Sequence, residues 1–95
     1  MTFEEQLRAC ARVASRGRHV AFIVGAAADE RFARDRCGAL TSAHAVQRGS
    51  LIYGTGCVRF VRASGASFVL KGFSGFVVID ARLELSAGMA RELRD

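Results

Sequence analysis

No run in this 95-residue chain approaches the ~18 consecutive apolar residues a membrane span needs; the longest, Val20 to Val24, is interrupted at Gly25. The start also lacks a basic stretch followed by an apolar core. It is acidic and amphipathic instead, so no secretory leader and a cytoplasmic location are expected. Lysine is nearly missing: 13 of the 14 basic residues are Arg, and Lys71 is the exception. Paired CxxC spacing is missing too. The three cysteines, at 10, 37 and 57, are odd in number and widely spaced, which argues against a disulfide framework and for free thiols.

What is present is ordinary globular material. Apolar residues make up 51% and charged residues 24%, which excludes a disordered or low-complexity chain. The length suits one domain, residues 1–95. Against nine acids the basic residues leave a net charge of +5. Two readings compete for that charge: an arginine surface for nucleic acid, or a solubilising surface with no partner. The arginines form no dense block along the chain, which favours the second.

Thr2 and Glu5 have capping-box spacing, and Phe3, Leu7, Cys10 and Ala14 follow at helical intervals up to a stop at Gly17. HVAFIV, residues 19–24, is a continuous apolar run of β-branched and aromatic character and predicts a buried central strand. Residues 26–38 fit either a helix closed by Gly38 or a turn followed by a short strand over 31–36. Residues 39–53 carry Leu40, Ala43, Val46 or Gln47, and Ser50 or Leu51 at roughly helical spacing, with Gly49 as a weak point costing ~1 kcal/mol relative to Ala. Three short runs then follow, CVRFVR (57–62), SFVLK (67–71) and FVVID (76–80), separated by Gly/Ser-rich turns. Such spacing predicts an antiparallel meander. Residues 82–94 predict a closing helix with Leu83, Ala87 and Ala90 on one face. The expected fold class is α+β, an antiparallel five-stranded sheet flanked by helices in the order α-β-β-α-β-β-β-α.

Candidate chemistry is thin. Cys57, His44 and Asp80 make a thiol–imidazole–carboxylate trio on paper, but nothing in their spacing brings them together. The three Cys and two His lack the paired spacing of a zinc site. Gly54-Thr55-Gly56 precedes a strand, whereas phosphate loops precede a helix, so it is expected to be a tight turn. KGFSGFVVI, residues 71–79, resembles the longer signature of RNA-recognition motifs, and AFIVGA, residues 21–26, the shorter. Ser74 is however an extra residue that leaves Phe73 and Phe76 on opposite sides of a regular strand, unless a bulge at Gly75 restores them. No catalytic residue, cofactor or metal is expected.

Two segments, FEEQLRACARVASRGRHVAFIVGAAADERF and VRFVRASGASFVLKGFSGFVVIDA, taken in order, resemble the opening and the closing meander of the roadblock family of dynein light chains. The resemblance implies a non-enzymatic module that dimerises with itself or a paralogous roadblock domain and serves a small Ras-like GTPase, a dynein-type motor or a scaffold. It places the interface on residues 40–53 and 57–62, namely Ala43, Val46, Leu51, Tyr53, Val58, Arg59, Phe60, Val61 and Arg62. A strand 57–62 at a sheet edge would expose Val58, Phe60 and Val61, a liability that pairing with a second copy removes, with Arg59 and Arg62 otherwise acting as edge gatekeepers. The alternative expectation is a small basic RNA-binding domain.

Overall fold

A computed structural model of the chain describes residues 1–83. Helix α1 spans Phe3–Ser15 and starts as the sequence demands. The Thr2 hydroxyl accepts from Glu5 N at 3.2 Å, while Thr2 N donates to the Glu5 carboxylate at 3.0 Å. After Gly17 the chain enters β1, His19–Val24, which is buried from Val20 onward. Helix α2 covers Ala27–Leu40, its first turn closed by Ala26 N donating to Asp29 Oδ2 at 3.2 Å. Strands β2 (Ala45–Gln47), β3 (Ser50–Tyr53) and β4 (Gly56–Arg62) follow as a ribbon. A 3-10 turn, Ala63–Gly65, leads into a one-turn helix α3, Ala66–Val69, and then into β5, Phe76–Ile79.

The five strands form one sheet in the order β2-β3-β4-β1-β5. The β2–β3 and β3–β4 pairs are antiparallel, but β1 runs parallel to both β4 and β5. The expected purely antiparallel sheet is therefore wrong. Helix α2 and the β-ribbon carry the chain from one edge of β1 back to its start, and a parallel neighbour needs a crossover of that kind. The expected order α-β-β-α-β-β-β-α fails at three places. Residues 26–38 resolve as helix, because Ala-rich, charged AADERFARDR has helical propensity and Ala33 and Cys37 bury against the sheet. Residues 45–53 form a hairpin instead of the central helix. Its turn carries consecutive positive φ values, 51° at Arg48 and 78° at Gly49, the geometry of a two-residue turn that matches strand twist. Residues 67–71 are not a strand: Ala66 to Val69 coil into α3. The closing helix expected over 82–94 lies almost wholly outside the described residues.

Helices α1 and α2 cover one face of the sheet, where Leu7, Cys10 and Ala14 meet Val20, Phe22, Val24, Leu51, Val58 and Phe60. Burying side chains of this size contributes roughly 1.5–3 kcal/mol each. On the opposite face Ile23 and Val61 pack with Ala63 and Ala66, and Leu70 and Leu83 lie against them. Gly56, at the start of β4, sits directly under the C-terminal end of α1. A Cβ there would overlap the carbonyl oxygen of Ala14.

Strand 57–62 is an interior strand, bonded to β3 on one side and β1 on the other. The edge on which a dimer was expected is thus already occupied by the chain's own backbone.

Candidate functional site

The residues expected to form a dimer surface scatter. Leu51, Tyr53, Val58, Phe60 and Val61 are buried in the protein's own core, Ala43 is half-buried, and Val46 is exposed on the outer strand β2. From that group Arg59, Phe60, Val61 and Arg62 line a concave surface, where Arg59 and Arg62 supply the charge. Side chains alternate along β4, so Cys57, Arg59 and Val61 point away from α1 and α2, alongside Ser50 and Ile52 of β3. Two adjoining clefts share Arg48, Ser50 and Arg59: one of about 550 Å³ on this face, and one of about 460 Å³ that wraps round the border of β4 beyond the β2–β3 turn to Glu30 and Arg34 of α2. Together they make a trough from the β3–β4 turn to the C-terminal end of β4. Its length along β4 is about 17 Å, at ~3.3 Å per residue from Cys57 to Arg62.

Four guanidinium groups line the 460 Å³ cleft, those of Arg34, Arg48, Arg59 and Arg62, against a single carboxylate, Glu30. Arg34 is held firmly: Nε donates to Gly49 O at 2.6 Å, a terminal nitrogen pairs with Glu30 at 3.0 Å, and the group lies 5.8 Å from the Phe60 ring centroid. Arg62 reaches the same Glu30 at 3.5 Å. Among the described residues Arg48 and Arg59 have no carboxylate within 4.0 Å. Arg48 also occupies the left-handed backbone region, φ 51°, which costs an ordinary L-residue roughly 1–2 kcal/mol. The two-residue β2–β3 turn requires that conformation, and it sets where the Arg48 side chain leaves the hairpin.

The trio Cys57, His44 and Asp80 is not brought together. Asp80 follows β5 at the opposite end of the sheet from Cys57, and His44 is exposed ahead of β2. Asp80 is 3% exposed and held by Arg82, whose terminal nitrogen lies 2.7 Å from Oδ2 and whose guanidinium stacks 3.8 Å from the Phe3 ring. That carboxylate raises the Arg82 pKa and spends its own charge on a structural pair. Cys57 instead faces His19 across the parallel β1–β4 register, with Sγ 3.2 Å from Nδ1, in the 550 Å³ cleft. Partial burial pushes its thiol up while Arg59 opposes that shift. Gly54-Thr55 form the tight β3–β4 turn expected from their place before a strand, and Gly56 opens β4. In the segment resembling an RNA-recognition signature only residues 76–79 are strand, and Phe73 lies in the preceding turn with its ring close to Gly75.

Among the described residues no group of three or more His, Cys, Asp or Glu side chains is placed to hold a metal, and no helix is long and apolar enough to cross a membrane. The sequence marks Arg59 and Arg62 only as dimer-interface residues and does not single out Arg34 and Arg48, since arginines dispersed along the chain converge only after the hairpin folds. Comparison with protein-family models, curated proteins and solved structures finds no match.

Proposed function

We propose that this chain is a non-enzymatic module that binds single-stranded nucleic acid along the arginine trough. The reading rests on Arg48 and Arg59, two guanidinium groups that flank one cleft and have no carboxylate within 4.0 Å among the described residues. Planar guanidinium forks match phosphate oxygens bidentately, and charge-assisted bonds of that kind are about twice as strong as neutral ones. Ile52, Val61 and Val69 line the trough between the charges, and Phe68, next to Val69, is 84% exposed. Apolar and aromatic surface beside phosphate-binding arginines suits unstacked bases, which a duplex keeps hidden.

Fluorescence anisotropy with a labelled single-stranded oligonucleotide tests this. Affinity is expected to fall linearly with salt on a double-logarithmic plot, with a slope of about −2 to −3 if three or four phosphates are engaged. A duplex of the same sequence should compete less well. Absence of binding at about 20 mM salt, where phosphate contacts are strongest, would end the reading.

A second reading keeps the self-association that the roadblock resemblance implies and moves it to the far border of the sheet. Among the described residues β5 has one neighbouring strand, and Phe76, Val77 and Ile79 are 52%, 43% and 36% exposed. A small GTPase or a dynein-type subunit as partner belongs with this reading. Sedimentation at micromolar concentration decides it: a dimer that Val77→Lys dissociates supports it, and a monomer throughout removes it.

A further inference from the structure

The pair formed by Cys57 and His19 lines the 550 Å³ end of the trough but is not among the groups proposed to bind phosphate, and its surroundings are specific. Parallel register places the two Cα atoms side by side, and Cys57 N donates to Arg18 O at 3.1 Å, which fixes the strand start. The side chains project to the same face, with Sγ and Nδ1 3.2 Å apart. His19 is exposed and Cys57 partly so, both opening into a cleft of about 550 Å³. The charged side chains lining that cleft are Arg48 and Arg59, both cationic. The other two thiols are shut away. Cys10 is 2% exposed and burial pushes its thiol up to about 12. Cys37 is 0% exposed and contacts Tyr53 Oη at 3.5 Å.

We infer that Cys57 is a reactive thiol, served by His19 as proton acceptor, that exchanges with small anionic disulfides drawn into the cleft by Arg48 and Arg59. The imidazole tautomer carrying its proton on Nε2 offers the Nδ1 lone pair to the thiol. In the exchange the Sγ–H proton moves to Nδ1, and the sulfur pair attacks one sulfur of the incoming disulfide. An S–S bond to Cys57 forms as the original S–S bond breaks, and the departing thiolate leaves free or takes the proton from His19. One disulfide is consumed and one made, so no further oxidant or reductant enters. The cationic rim selects for a carboxylate-bearing reagent, because the attraction is electrostatic and acts before any bond changes.

The test uses the folded full chain with 5,5′-dithiobis(2-nitrobenzoate), a dianionic aromatic disulfide, followed by release of its coloured thiolate. One equivalent is expected to react fast and two only after denaturant is added, with peptide mapping placing the fast adduct on Cys57. Cys57→Ser should abolish the fast phase. His19→Gln should slow it about tenfold at neutral pH and shift its pH profile towards that of a plain thiol. Arg59→Gln should slow the dianionic reagent more than 2-hydroxyethyl disulfide, which is neutral and feels only the loss of the cation beside the thiol. Circular dichroism confirms that each variant is folded. A Cys57 that reacts no faster than the thiols of the denatured chain overturns the inference. So does His19→Gln reacting at the parent rate across the pH range, or equal effects of Arg59→Gln on both reagents.

Discussion

Alanine at position 56 is expected to destabilise the protein by about 3 kcal/mol or more, an unusually large cost for adding one methyl group. The added carbon would overlap the Ala14 carbonyl oxygen and stand 2.5 Å from that of Arg18. Neither obstacle is a flexible side-chain tip. Ala14 O accepts from Gly17 N at 3.0 Å in the close of α1, and Arg18 O accepts from Cys57 N at 3.1 Å in joining β1 to β4. Relief would require parting the helix end from the sheet or giving up the first β1–β4 bond. In urea the midpoint should drop by roughly 1.5 M with an unchanged slope, for a slope near ~2 kcal/mol/M. Gly65 supplies the control: nothing lies within 4 Å of its Cβ position, so Gly65→Ala should stay within about 0.5 kcal/mol of the parent. A Gly56→Ala protein as stable as the parent would show that α1 does not rest on β4 this closely.

The double variant Arg48→Asn, Arg59→Gln is expected to lose on the order of 100-fold in affinity for a single-stranded oligonucleotide at low salt. Each lost guanidinium–phosphate contact removes about 1.4 kcal/mol, a factor of ten. The salt slope should shrink by about 0.7 per contact removed. Stability should move the other way. Asparagine tolerates the left-handed backbone at position 48 better than arginine does, so Arg48→Asn alone should raise stability by roughly 0.5–1 kcal/mol. Opposite signs separate this outcome from misfolding, in which both quantities fall. Unchanged affinity in the double variant would remove the trough as the binding surface.

The sequence was most legible where one local rule sufficed. Thr2 and Glu5 announced α1 and both their hydrogen bonds form, and the apolar run 19–24 is the buried central strand. Strands at 57–62 and 76–79 were legible from β-branched content. Their partners were not, because Gly/Ser connections look alike whether a chain turns back or crosses over. The β2–β3 hairpin was hidden by its turn. Arg48-Gly49 lacks the Asn-Gly or Asp-Gly pair that signals such a turn, and Leu40, Ala43 and Leu51 mimic helical spacing. That single misreading concealed the site, since the turn is what carries Arg48 to Arg59. Cys57, which spacing along the chain ties to no histidine, stands beside His19, a pairing that only the parallel register creates.

Strand β1 lies between β4 and β5, with Val20 partnered by both Val58 and Phe76, so its backbone stays half-satisfied until distant downstream segments arrive. The β2–β3–β4 ribbon is local and can close within about 1–10 μs for each hairpin. Seating it on β1, and β5 after it, waits on slower long-range closure. During synthesis on the ribosome, a nascent chain that has not yet emerged past residue 79 carries VAFIV with one bare flank. Such a flank is a template for association with other unfinished chains. Docking of β5 covers that flank of β1 and ends the interval.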